Sequence, residues 1–195
     1  MTTTAFYTPT IKTNITIPNS VTHKNSIDWA FTAGTVATSQ DTLYTISGFW
    51  QEKFLTETSQ LYCTHAGIPA NGGTPTGIEF MLDIRRESRI EDLVIQLTLG
   101  GLDDTNFPIL IGENHASTVN PVQSNMYTGE ITNPLTPVND HNIYGSSTDM
   151  WGTTLSSADI ADPTFGIVIS FRSNIIYPHR DLVIVDRIGL RITYA

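Results

Sequence analysis

Phe165, Ile167, Ile169 and Phe171 alternate with Gly166, Val168, Ser170 and Arg172. A period of two over that length is met by a strand with one face in a core, and by no helix. The alternation recurs in Leu43 to Trp50, Ile78 to Ile84 and Leu93 to Leu99. It returns at the end of the chain, where Leu182 to Val185 lead into Ile188, Leu190, Ile192 and Tyr194. No stretch carries the 3.6-residue period of an amphipathic helix. Short strands between turns predict an all-β chain, an antiparallel β-sandwich of jelly-roll-like form. Between Ile84 and Leu93 the linking residues are polar except Ile90, and the spacing permits a hairpin with a longer loop.

The segment that leads into Phe165 is built for turns. Gly145, Ser146, Ser147, Thr148 and Asp149 are turn and cap residues that follow Tyr144. Trp151 offers one large flat apolar surface beside Gly152, which lets another backbone come close. Ser157, Asp159, Asp162 and Pro163 predict a second turn, with Asp159 capping its backbone and Asp162 held extended by the proline that follows. These residues suit the sealed end of a sandwich. Burial is the expected fate of Trp50 and Trp151; the competing reading exposes them beside Asn and Asp loops to hold a sugar.

At 195 residues the chain is expected to form a single domain with an arm. Residues 1–26 are rich in Thr and Asn, and Pro9 and Pro18 exclude a regular helix. Phe6, Tyr7, Ile11, Ile15 and Ile17 are its spaced anchors, expected to lie against the same domain or a neighbour. The body, 27–195, opens at Trp29. In it Phe54 to Cys63 reads as a short helix or a twisted strand pair, and Gly67 to Gly77 as a loop. A loop-rich insert at about 101–142 carries Pro121, Pro134 and Pro137 and is long enough to be expected to make contacts.

Only 15% of residues are charged, and the net charge is −9, with a pI near 4.8. An acidic surface argues against general binding of nucleic acid or anionic membrane. Arg85, Arg86 and Arg89 form the one basic group, read as solvated charge or as a contact to an acidic neighbour. No apolar run approaches the ~18 residues of a membrane span, and the first residues lack the pattern of a signal peptide. Synthesis and folding in a cytoplasm are expected. Cys63 is the sole cysteine, so the chain can form neither an internal disulfide nor a thiolate metal cluster. Its apolar setting predicts a buried thiol.

Reactive chemistry is not evident. The phosphate-binding, dinucleotide, nucleophile-elbow and zinc-protease motifs are absent. His23, His65, His115, His141 and His179 show no metal-ligand spacing and read as isolated loop histidines. Asp103 to Asn106 and Asn139 to Asn142 are oxygen-rich, but lack the Gly and Glu of a known calcium loop. Asp159 and Asp162 could be imagined as paired glycosidase carboxylates, although their turn positions favour capping. No catalytic residue, metal or cofactor is expected.

The pattern Y-G-x-x-T-D-x-W-G is carried by Tyr144, Gly145, Thr148, Asp149, Trp151 and Gly152. It continues as A-D-I-x-x-x-x-F-G through Ala158, Asp159, Ile160, Phe165 and Gly166, and ends as V-D-x-I-x-L-x-I-x-Y from Val185 and Asp186 to Tyr194. Together these resemble a small β-sandwich module of tailed-bacteriophage virion proteins, over about 27–195. The arm and the insert depart from that module. The resemblance implies a non-enzymatic particle component made in the host bacterial cytoplasm, with Tyr144, Asp149, Trp151, Gly152, Asp159, Phe165, Gly166 and Asp186 as fold determinants. Its expected partners are other virion proteins. The leading expectation is a capsid decoration (cement) protein on the major capsid protein lattice, acting as a homo-oligomer, dimer or trimer. The alternative is a tail, baseplate or fibre component that binds a receptor or glycan. Loss of residues 1–26 is expected to abolish particle binding and leave the sandwich folded.

Overall fold

A computed structural model describes residues 1–7, 10–15, 26–27, 30–31, 45–49, 56–58, 60–65, 67–86, 90–116, 141–173 and 181–195. Their strands are β1 (Thr2–Thr3), β2 (Thr10–Ile15), β3 (Ser26–Ile27), β4 (Ala30–Phe31), β5 (Thr45–Phe49), β6 (Thr56–Thr58) and β7 (Gln60–Thr64). After these come β8 (Pro75–Arg86), β9 (Ile90–Leu102), β10 (Pro108–Ile111) and β11 (His141–Ser146). One helical turn, α1 (Ser157–Ala161), precedes β12 (Gly166–Ser173) and β13 (Asp181–Tyr194).

The strands form two sheets. The first runs β11-β8-β13-β5-β4, with β1 also on β13. The second runs β10-β9-β12-β6-β3, with β7 also on β12 and β2 on β7. Pairing is antiparallel except for β3 on β6. Ile78, Phe80 and Leu82 of the first sheet share one buried cluster with Leu61, Ile95, Leu97, Ile167 and Ile169 of the second. Alternation therefore reports what it should, a β-sandwich with the inward set of each strand in the core. Burying each such side chain contributes about 1.5–3 kcal/mol.

The expected hairpin between Ile84 and Leu93 does not form. β8 lies in the first sheet and β9 in the second. The hairpin is instead β9–β10, closed by the turn Asp103 to Phe107. From β7 onward the chain changes sheet at every connection except β9 to β10, so the inward face is encoded locally while the partner strand is not. Phe54 to Cys63 resolves as strands where it is described. The Gly67 to Gly77 loop is shorter than expected, because β8 begins at Pro75. The two C-terminal apolar runs are one strand with a bulge: Val185 pairs with Ile84 and Arg187 with Asp83, which leaves Asp186 as the extra residue.

The N-terminal segment pairs with both sheets. Thr2 and Thr3 lie opposite Tyr194 and Thr193, Tyr7 bridges to Leu190, and β2 pairs with β7. Phe6 sits over the outer surface of the first sheet, its ring 4.5 Å from Arg191 Cζ. Removing residues 1–26 would strip partner strands from both sheets. Such a truncation mixes a folding role with a contact role.

Candidate functional site

The end of the sandwich beyond β11 is organised by Ile78. Strand β11 stops at Ser146, opposite Ile78, and the turn after it takes over the edge. Ile78 N–H donates to the Asp149 carbonyl at 2.8 Å, and Trp151 Nε1 donates to the Ile78 carbonyl at 2.9 Å. Asp149 Oδ1 accepts from Trp151 N–H at 2.7 Å. Trp151 is fully buried, and its φ of +57° lies in the left-handed region that side chains other than glycine avoid. Gly152 follows at φ +65°, where a Cβ would meet the Glu113 side chain at 2.7 Å. The close neighbour at Gly152 is therefore a side chain, where the sequence pointed to a backbone.

Tyr144 is buried, stacks on Phe80 and donates its hydroxyl proton to Asp92 Oδ2 at 2.7 Å, tying one sheet to the other. His115 lies with its ring 4.0 Å from Trp151 and its Nε2 3.6 Å from Asp149 Oδ2. Glu113 N–H donates to the Trp151 carbonyl at 2.7 Å. These contacts join the turns that follow β10 and β11. The assembly is a packing joint. Burial of the indole also removes Trp151 as a stacking platform for a sugar; Trp50 lies outside the described residues.

The acidic pair is occupied locally. The second expected turn is helix α1, with Ser156 as its N-cap and Asp159 completing a capping box. Asp159 Oδ2 accepts from Ser156 N–H at 2.8 Å and from Ser156 Oγ–H at 2.7 Å, and these bonds hold its carboxyl below the ordinary range. Asp162 is the extended C-cap. Its Oδ1 accepts from the hydroxyl and the N–H of Thr164, which depress it likewise. Asp103 Oδ1 accepts from Thr105 N–H, Thr105 Oγ–H and Phe107 N–H, which closes the hairpin turn. Each of these carboxylates serves its own turn.

Two histidines differ from the sequence expectation. His65 and His115 are buried. His65 has neither ring nitrogen hydrogen-bonded among the described residues, and burial pulls it down to about 3. The signal was present: Leu61, Cys63 and His65 share one parity, and Leu61 and Cys63 face the core. Cys63 is buried as expected, and desolvation raises its thiol so that it stays protonated.

The remaining motif residues are structural where they are described. Phe165 is fully buried. Gly166 is required by close approach, because a Cβ there would fall 2.0 Å from the Cys63 carbonyl oxygen. Asp186 marks the β13 bulge. Of the arm anchors, Phe6 covers Arg191 and Tyr7 packs against the core. Ile11 and Ile15 lie in β2, and Ile17 is outside the described residues. Among the described residues, the large apolar side chains left exposed are Met1, Leu102 at 41%, Ile109 at 40%, Leu110 at 37% and Ile143 at 42%. Sequence reasoning gave these last four no role. Leu102, Ile109 and Leu110 belong to the β9–β10 hairpin, and Ile143 to β11; β10 and β11 each end a sheet. No family model, curated protein or solved structure matches the chain.

Proposed function

We propose that this chain is a non-enzymatic structural protein of a bacteriophage particle, a capsid decoration protein that binds the major capsid protein lattice. The observation that carries this reading is the set of exposed apolar side chains on the β9–β10 hairpin and on β11. Exposed apolar side chains on an acidic domain suit contact with protein. The sandwich motif that resembles phage virion modules supports the same reading, since its residues build the fold and leave the edges free to differ. The local engagement of Asp103, Asp159 and Asp162 supports a non-catalytic role. Action as a dimer or trimer around a lattice axis follows from the symmetry of such lattices.

A variant carrying Leu102→Asp, Ile109→Asp and Leu110→Asp tests this. Thermal unfolding of the variant checks that it folds. Its binding to particles assembled without this chain falls by about 100-fold, roughly 3 kcal/mol for several anchors lost together. Unchanged binding would remove the hairpin from the interface.

A further inference from the structure

The first sheet contains an edge that the N-terminal segment fills. β13 is 14 residues long. Along one side it pairs with β8; along the other, among the described residues, β5 pairs with Asp181 to Val185. The stretch Leu190 to Tyr194 is covered by residues 2–7. We propose that this stretch is a strand-acceptor site, and that residues 2–7 of a second copy of this chain occupy it, with the two N-terminal segments exchanged reciprocally. The proposal stands independently of the particle reading.

Four observations favour exchange. The attachment is irregular: the N–H groups of Thr4, Tyr7 and Leu190 make backbone bonds across it, but the register shifts. Thr3 pairs with Thr193 and Tyr7 with Leu190, so the segment fits four steps against three. Ile192 N–H finds the Thr4 hydroxyl, at 3.0 Å, where a regular ladder would supply a carbonyl. The segment is also lightly buried, with Met1, Thr2, Thr3 and Ala5 exposed. Elements held this way open at low cost compared with global unfolding. Thirdly, only Thr8 and Pro9 separate Tyr7 in one sheet from β2 in the other. A short hinge between separately anchored strands is the arrangement that invites swapping, because the exchanged contacts are identical to the internal ones. Finally, residues 1–26 hold Lys12 and Lys24 and no acidic residue, on a chain of net charge −9. The body of a second copy is thus a complementary acidic surface for the arm. An unfilled Leu190 to Tyr194 edge would present unpaired backbone groups, so release of one segment creates the demand for another.

The test uses the full chain. Thr3 and Thr193 face each other with hydroxyl oxygens 3.1 Å apart, and Cys63 is buried. Thr3→Cys chains and mass-tagged Thr193→Cys chains are unfolded together, refolded and oxidised; the Thr3→Cys/Thr193→Cys double variant is oxidised alone. Exchange gives a disulfide-linked heterodimer as the main product of the mixture and interchain-linked species from the double variant. An internally linked monomer from the double variant, with heterodimer no more abundant than Thr3→Cys homodimer, overturns it. The unsubstituted chain in two isotopic forms guards against a folding defect. Native mass spectrometry then shows mixed dimers after co-refolding, and absence of any dimer equally overturns the proposal.

Discussion

Lowering the pH from about 7 to about 4 costs this protein about 3 kcal/mol of folding stability through one side chain, His65. Its imidazole is buried with both nitrogens unpaired among the described residues, and burial lowers it to about 3. An ordinary histidine titrates near about 6.5. Below that value the unfolded chain takes up a proton that the folded chain refuses, so stability falls with falling pH. The loss continues until the folded-state value is reached, and then levels off. Denaturant titrations at a series of pH values check this. The His65→Leu variant abolishes the loss over that window, whatever its stability at neutral pH, because only the slope is compared. A parallel slope in the variant would show that another group is responsible. Asp103, Asp159 and Asp162 act in a lower window. Their carboxyls are depressed chiefly by the Thr105 hydroxyl, the Ser156 N–H and the Thr164 hydroxyl, respectively. Their contribution is present above the ordinary carboxylate range and is lost progressively as pH falls from that range through their lowered values.

Trp151→Ala destabilises the protein by about 4 kcal/mol. The indole is fully buried and its Nε1 satisfies the Ile78 carbonyl. Truncation leaves a cavity beside His115, removes the indole hydrogen bond to that carbonyl and loosens the turn that continues the first sheet past Ser146. The backbone conformation gives a sharper signature. Because Trp151 sits at φ +57°, glycine escapes the left-handed penalty that alanine keeps. Trp151→Gly should therefore be more stable than Trp151→Ala by about 1 kcal/mol, the reverse of the order expected in an ordinary helix or strand. Equilibrium unfolding of the two variants gives the comparison. If alanine proved the more stable, the strained turn would not be the conformation that matters. A Trp151 variant that kept full stability but lost glycan binding would restore the sugar-platform reading that burial argues against.

The faces of the strands were readable in the chain because a buried residue at every second position leaves a direct trace. Ile78, Phe80 and Leu82 declare their inward side without reference to anything else. What they do not declare is a partner. β8 and β9 are consecutive and both strongly alternating, yet they fall in different sheets, since the same pattern suits a hairpin or a crossing between layers. Helix α1 escaped notice because its single turn is too short for a helical period to show; its capping box, Ser156 with Asp159, was the available signal. His65 was assigned to a polar loop, although continuing the parity of Leu61 and Cys63 would have placed it inside. His115 had no such trace, because its burial comes from Trp151, which is distant in sequence. The arm anchors Phe6 and Tyr7 were visible as spaced aromatics, but their place beside Leu190 and Arg191 depends on a strand distant in sequence. Ile109, Leu110 and Ile111 are consecutive apolar residues, of which the first two are exposed. Exposure is decided by the other layers of the fold, and a run of three cannot report it.

The central claim is a place on a particle, and the most direct test is electron microscopy of purified phage particles labelled with an antibody to this chain. The account predicts label spread evenly over the head of intact particles. Label confined to the tail would contradict decoration and favour a tail component, and absence of label from both intact and disrupted particles would contradict the virion reading itself.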